Sequence, residues 1–233
     1  MNKQSNTYTT IYIIVLVLLV GTALAATSLA LRDKQQANAD ADKMRQILAA
    51  ALITPDPSQV IEQYDKHVKP IVVNAKGQEI EGDAFRINVA EEVKKPADER
   101  QLPVFVCTLD NGETKYILPA YGAGLWGPIW GYIALDSNGS TIYGAYFAHQ
   151  GETPGLGAEI EKPKFTDEFK GLNLFKNGQF MPIAVVKAGQ KPQGGEDYVD
   201  GVSGGTITSK GVGAMLDNCL TPYKSYLESL STK

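Results

Sequence analysis

Between Ile11 and Leu31 the chain carries no charged side chain, and Ile11 to Val20 is almost purely aliphatic. Crossing a bilayer as a helix takes about 20 apolar residues, and this run meets that length. The competing reading is a cleaved signal peptide, because Ala23-Leu24-Ala25 resembles a small-residue cleavage site. Against it, the polar lead Met1 to Thr10 offers only Lys3 as a basic residue, and the apolar character continues past the cut. A retained anchor is the better account. Orientation is less constrained. Arg32, Lys34, Lys43 and Arg45 follow the anchor, and the positive-inside rule, counted alone, would keep the following domain in the cytoplasm.

The organisation predicted is a short tail over 1–10, a transmembrane helix over 11–31, a helical stalk or linker over 32–68, and one soluble domain over 69–233. Met44, Ile47, Leu48, Ala51 and Leu52 form a helical stripe in the stalk, which Pro55 and Pro57 end. Ser58 is placed to cap a second short helix. Strands are expected at Ile71 to Val73, Phe85 to Val89, Val104 to Leu109, Tyr116 to Leu118, Ile129 to Leu135, Ile142 to Phe147 and Ile183 to Val186. Asp110-Asn111-Gly112 and Ser137-Asn138-Gly139 are hairpin turn signals. Helices are expected from about Thr166 to Phe175 and from near Ser209, where Val212, Met215, Leu216, Cys219 and Leu220 make one apolar face. The fold class is α+β: an anchor helix plus a domain with a mainly antiparallel, twisted sheet and flanking helices.

A formal net charge of -4 gives no basic patch for nucleic acid. The histidines, His67 and His149, and the cysteines, Cys107 and Cys219, are too few and too scattered for a metal cage, so no metal is expected.

The segment richest in chemistry is Asp200 to Ser209, D-G-V-S-G-G-T-I-T-S. Its glycines allow conformations closed to other residues, and a helix start beyond them offers free N–H groups to an anion. Gly201 to Gly205 matches G-x-S-x-G, but both histidines precede Ser203 and Lys191 to Asp197 reads as loop, so the hydrolase pattern fails on order and context. Lys210 is followed by Gly211 and preceded by Ser209, which breaks the P-loop pattern. Ile207, three residues before Lys210, breaks S-x-x-K. A plain loop with Thr208 or Ser209 capping the last helix stays open on this segment alone. Other glycine-rich stretches are G-A-G-L-W-G-P-I-W-G at Gly122 to Gly131 and H-Q-G-E-T-P-G-L-G-A-E at His149 to Glu159.

Taken in order, the G-L-W segment, the E-T-P-G-L-G loop and the late D-x-x-S-G-x-T resemble NqrC, the C-type subunits of the Na+-translocating NADH:quinone reductases. The G subunit of the Rnf electron-transport complex shares the same FMN-binding domain, and the Gly-Leu-Trp segment favours the former. The resemblance covers the anchor and nearly all of the soluble region, and makes 69–233 an FMN-binding domain. It implies that Thr206 carries FMN through a phosphoester, with Gly205 standing where the family usually has alanine. It further implies that Trp126 packs near the isoalloxazine edge and that Glu152, Thr153, Leu156 and Gly157 line the ring. Ser203, Gly204 and Gly205 would wrap the phosphate, and Lys187 would neutralise it or stabilise a reduced flavin, though as a bare residue it is equally a solvated lysine. The implied protein is an electron relay in the bacterial inner membrane. It has a periplasmic domain, other reductase subunits and membrane lipid as partners, and a flavin transferase for maturation. An Rnf-type flavin subunit and a non-redox membrane-anchored scaffold are the alternatives.

Overall fold

The computed structural model describes residues 5–231; Lys3 lies outside them. One unbroken helix, α1 (Asn6–Ala50), contains the apolar run and continues through the charged residues after it. It is the one helix among the described residues long and apolar enough to cross a membrane. The chain divides into two compact units, 1–43 and 44–233. Within the second unit, α1 ends in a Schellman arrangement. The Leu52 amide bonds to Ala49 O and the Ile53 amide to Leu48 O, with Leu52 at φ 61° in the place usually held by glycine.

After α2 (Val60–His67) the chain enters the main sheet. Its strands are β1 (Val68–Val73), β2 (Glu79–Ile80), β3 (Leu102–Thr108), β4 (Thr114–Ala123), β5 (Pro128–Leu135) and β6 (Ile142–His149), with a short helix α3 (Val89–Glu92) inserted before β3. The order is β2-β1-β3-β4-β5-β6, antiparallel throughout. Both hairpin signals hold: Gly112 and Gly139 sit at φ 85° and 66°, values that glycine adopts without penalty.

Alternate side chains of each strand point to opposite faces, and both faces are covered. Val104, Leu118, Ile129 and Ile133 face a core shared with the C-terminal helices α5 (Thr206–Leu220) and α6 (Lys224–Ser231). Phe105, Cys107, Ile117 and Tyr132 face a second core closed by Ile47, Leu48 and Tyr64 from the end of α1 and from α2. Gly144 on β6 lets the end of α1 settle there, since a Cβ would strike the carbonyl of Ala50.

Several readings differ from the sequence expectation. Ser58 does not cap α2: it lies inside the helical turn Pro57–Gln59, and α2 follows Gln59 with no side-chain cap bond. Phe85 to Val89 is not a strand. Asp83 accepts the amides of Phe85 and Arg86, and Asn88 caps α3 through the Ala90 amide, so local side-chain bonds outcompete an extended run. The stretch from Thr166 to Phe175 is not one helix. Helical turns occupy α4 (Pro163–Thr166) and Asp167–Phe169, then Gly171 at φ 79° breaks them and the hairpin β7 (Phe175–Lys176)/β8 (Gln179–Phe180) begins. Finally β9 (Ala184–Val186) pairs in parallel with β10 (Tyr198–Asp200), which leads directly into the glycine-rich run.

Candidate functional site

Three loops meet at one end of the core. The first is the β4–β5 reversal, pinned by the Gly124 amide on Gly127 O at 2.8 Å, which leaves Leu125 and Trp126 at its tip. The second follows β6. Here His149 Nδ1 accepts the Glu152 amide at 3.1 Å, the Leu156 amide returns to Thr153 O, and Glu159 accepts the Gly155 amide. The third runs from β10 to α5. The Gly201 amide bonds to Val186 O, the Val202 amide to the Ser209 hydroxyl, and Gly204 takes φ 76°.

Helix α5 begins at Thr206, with Gly205 as its N-cap and no side-chain cap bond. This corrects the expectation of a start near Ser209 with Thr208 or Ser209 as cap: both lie inside the first turns and are buried. An uncapped first turn leaves the amides of Thr206, Ile207 and Thr208 without intrahelical acceptors. Because helical residues advance by about 100°, positions two apart face nearly opposite ways. Thr208 therefore points inward, where its hydroxyl donates to Glu152 Oε2 at 2.5 Å. Thr206 is exposed, and among the described residues its hydroxyl has no hydrogen-bond partner.

Glu152 is only 4% exposed. Its Oε1 accepts the Trp126 amide at 2.8 Å while Oε2 takes the Thr208 hydroxyl, so one carboxylate ties all three loops together. Burial alone would push this carboxyl up. The bonds from Thr208 and from the Trp126 and Leu125 amides, with a smaller contribution from His149, outweigh burial and hold it below the usual range. Gly124 and Gly157 make room for it: a Cβ on either would press on the carboxylate, and one on Gly157 would also meet the Thr208 hydroxyl.

Above this strut lies a cavity of about 360 Å³ lined by Leu125, Trp126, Thr153, Leu156, Gly205 and Thr206, among others. Trp126, Leu125, Leu156 and Ile207 are 69%, 48%, 43% and 56% exposed, which concentrates uncovered apolar surface at its rim. On the other flank of Thr206 is a cavity of about 370 Å³, lined by Lys187, Gln190, Ser203, Gly204 and Lys210. Thr206 borders both.

The structure thus gathers Trp126, Glu152, Thr153, Leu156, Gly157, Gly204 and Gly205 around the first cavity, and Lys187 and Ser203 with Gly204 around the second. Glu152 does so with its carboxylate turned inward. Sequence reasoning took Thr208 only as a possible cap, Lys210 only against linear motifs and His149 only as the start of a glycine-rich stretch, and gave none of them a place at the site. The signals were present as spacing: two and four residues after Thr206, and three before Glu152. Lys191 to Asp197 is loop, as read, but the three-residue strand β10 follows it and directly precedes Gly201. The hydrolase pattern stays closed, because His67 is bound at Thr108 O and His149 at the Glu152 amide. Among the described residues no cluster could hold a metal ion.

A planar ligand with a phosphate fits this arrangement: an apolar-rimmed slot, glycine at the close approaches, and free amides beside a hydroxyl. Comparison with known proteins gives the same chemistry. The FMN-binding domain family matches residues 124–221, which contain the whole of the first cavity. The C-type subunit of the Na(+)-translocating NADH-quinone reductase of Vibrio anguillarum is 34% identical over 228 residues, covering 91% of this chain and 89% of that protein. Its Vibrio vulnificus counterpart is 35% identical over 206 residues, with coverage of 81% and 80%. Among solved structures, the corresponding reductase subunit from Parabacteroides distasonis superimposes with a TM-score of 0.79 at 50% identity, covering 84% of this chain and 96% of that one. NqrC from Shewanella oneidensis gives 0.70 at 26% identity, covering 84% and 100%.

Proposed function

The chain belongs to the NqrC family, the C-type subunits of the Na(+)-translocating NADH-quinone reductases, and from that premise we propose that it carries FMN as a phosphoester on Thr206 and relays electrons within the membrane complex. The observation that carries the reading is the contrast among neighbouring hydroxyls. Thr208 is committed to Glu152 and Ser209 to the Val202 amide, whereas Thr206 stands exposed at the helix start between the two cavities.

The flavin supplies reversible electron uptake and release; the chain supplies place and surroundings. Trp126, Leu125 and Leu156 offer an uncovered apolar rim on which the ring can pack. The amides of the first turn of α5, with the positive end of its dipole, face the ester's remaining negative charge. Lys187 adds a cation on the same side. Glu152 holds the Trp126 tip, the E-T-P-G-L-G loop and α5 in fixed relation, so the slot is preorganised before the cofactor arrives. Thr206 is a tether and takes no part in turnover. No NADH site is required, because hydride chemistry belongs to other subunits of the assembly.

A covalent bond keeps the cofactor in place where no cytoplasmic flavin pool can replace it, which suits a domain on the periplasmic side of the inner membrane. A flavin transferase and the other reductase subunits are the partners this implies. The test is intact mass and in-gel fluorescence of the chain co-produced with a flavin transferase. The wild type should gain the mass of one FMN less water and fluoresce after denaturation, and T206V should do neither. A dark wild-type band, or fluorescence retained in T206V, overturns the reading. A reporter fused after Lys233 should be active only outside the cytoplasm.

A further inference from the structure

We infer that His149 is a positioning residue for the cavity between Trp126 and Leu156, holding its loop only while Nδ1 carries no proton; this rests on the flavin reading proposed above. His149 ends β6, and the Gln150 amide on Pro128 O at 3.0 Å pins the next residue to β5. The chain then leaves the sheet, and the Glu152 amide turns back to donate to His149 Nδ1 at 3.1 Å. From the other side, Glu161 Oε1 accepts the His149 backbone amide at 3.3 Å and lies 3.5 Å from Nε2. The side chain is only 16% exposed. An acceptor at Nδ1 fixes the neutral tautomer, with its hydrogen on Nε2 beside Glu161. His149 does not line the cavity; it acts through Glu152. That residue opens the E-T-P-G-L-G loop, whose Thr153, Leu156 and Gly157 line the cavity, and its carboxylate holds the Trp126 tip and α5.

A proton on Nδ1 turns this acceptor into a donor facing another donor, and the bond to the Glu152 amide is lost. Among the described residues, the charged groups facing the ring are Glu161, from the turn Gly157–Glu161, and Glu152, from its own loop. Ile129, its cross-strand partner on β5, is uncharged. Both carboxylates favour the cation, while the amide and partial burial oppose it. Imidazole is the side chain whose charge ordinarily changes between about pH 5 and 8. Glu152 stays ionised across that range, because its hydrogen bonds hold the carboxyl below the usual values. Acid therefore breaks the amide bond while the strut is still charged. The protonated ring then competes with the Thr208 hydroxyl and the Trp126 amide for the same carboxylate, and the loop loosens from its β6 end.

The test follows the Glu152 amide by NMR in the full chain in detergent, made without flavin transferase, from about pH 8 to about pH 5. In the wild type this resonance should leave its hydrogen-bonded position in a one-proton transition. Asparagine puts an oxygen that takes no proton where Nδ1 lies, so H149N should match the wild type at the alkaline end and stay there. H149A should show the acid position throughout. H67N, which removes the other histidine, should titrate as the wild type does. In the transferase-matured chain, the flavin potentials of H149N and wild type should coincide at the alkaline end and part on acidification. A flat wild-type titration, a transition that persists in H149N or vanishes in H67N, an H149A amide at the wild-type position, or potentials that coincide throughout overturns the inference. The Thr206 attachment is judged separately by intact mass. The expected amide titration in a chain that never gains FMN sinks the attachment alone. A chain that gains FMN while its Glu152 amide ignores His149 sinks this inference alone.

Discussion

Replacing Glu152 by glutamine tests whether one buried carboxylate assembles the site. Glutamine has the same shape but one oxygen. That oxygen can keep the Trp126 amide, and the new NH2 group must then face Thr208, whose hydroxyl has to turn and accept. Charge-assisted bonds contribute about 1.5–3 kcal/mol and neutral ones about 0.5–1.5. Weakening two of them by about 1 kcal/mol each predicts that E152Q is destabilised by about 2 kcal/mol. E152A strands the Trp126 amide and the Thr208 hydroxyl and opens a void, for about 4 kcal/mol. The pH dependence carries a definite sign. The folded-state carboxyl titrates below its ordinary value, so its contribution is complete above the unfolded value of about 4.3 and is lost as pH falls through the lowered folded value. The gap between wild type and E152Q should therefore be constant from pH 6 to 8 and close on acidification, since a protonated Glu152 resembles glutamine. Urea unfolding of both proteins in detergent, followed by far-UV circular dichroism across pH 3 to 8, measures it. If E152Q equals or exceeds the wild type at pH 7, the cost of burying the charge outweighs its bonds and the strut argument fails.

Gly157→Ala attacks the same junction sterically, since the new methyl meets both Glu152 and Thr208; about 3 kcal/mol of stability should go, read from the same unfolding curves. Tyr64 has a buried hydroxyl with no partner among the described residues, so Y64F should be more stable than wild type by about 1 kcal/mol, seen as a higher unfolding midpoint. Cys107 and Cys219 are both free and buried. Burial pushes the Cys107 thiol up to about 11 against a weaker pull from Lys115, and burial also raises Cys219. An aromatic disulfide reagent at pH 8 should label neither in the folded chain and both in urea.

Legibility in the sequence follows the range of the forces involved. The two hairpins announce themselves because Asn-Gly chemistry acts within a few residues, and the α5 stripe because one face must be apolar along its whole length. Phe85, Ile87 and Val89 alternate like a strand, yet Asp83 and Asn88 bond the neighbouring amides, a competition that hydrophobic pattern does not encode. Strand β10 was hidden because it is short and its partner β9 lies across a loop. At the site, glycine and tryptophan marked the right segments. What they did not mark was direction: Glu152 turns inward only because Thr208 and the Trp126 amide, distant in sequence, await it there. Lys210 was weighed against a linear motif that it fails, while helical phase, which no motif records, returns it to Thr206.

Under the attachment proposed on Thr206, the opposite facing of Thr206 and Thr208 sets when the coupling can be selective. In an unfolded chain the sequence Thr-Ile-Thr presents two chemically identical alcohols, and an enzyme that couples to hydroxyls would have to discriminate by itself. Once the first turn of α5 forms and Glu152 claims Thr208, only one of the two threonines is within reach. Regioselectivity is then a property of the acceptor's own fold, and it exists only after folding. Modification of the wrong threonine becomes a signature of a chain caught before α5 and the Glu152 loop have met.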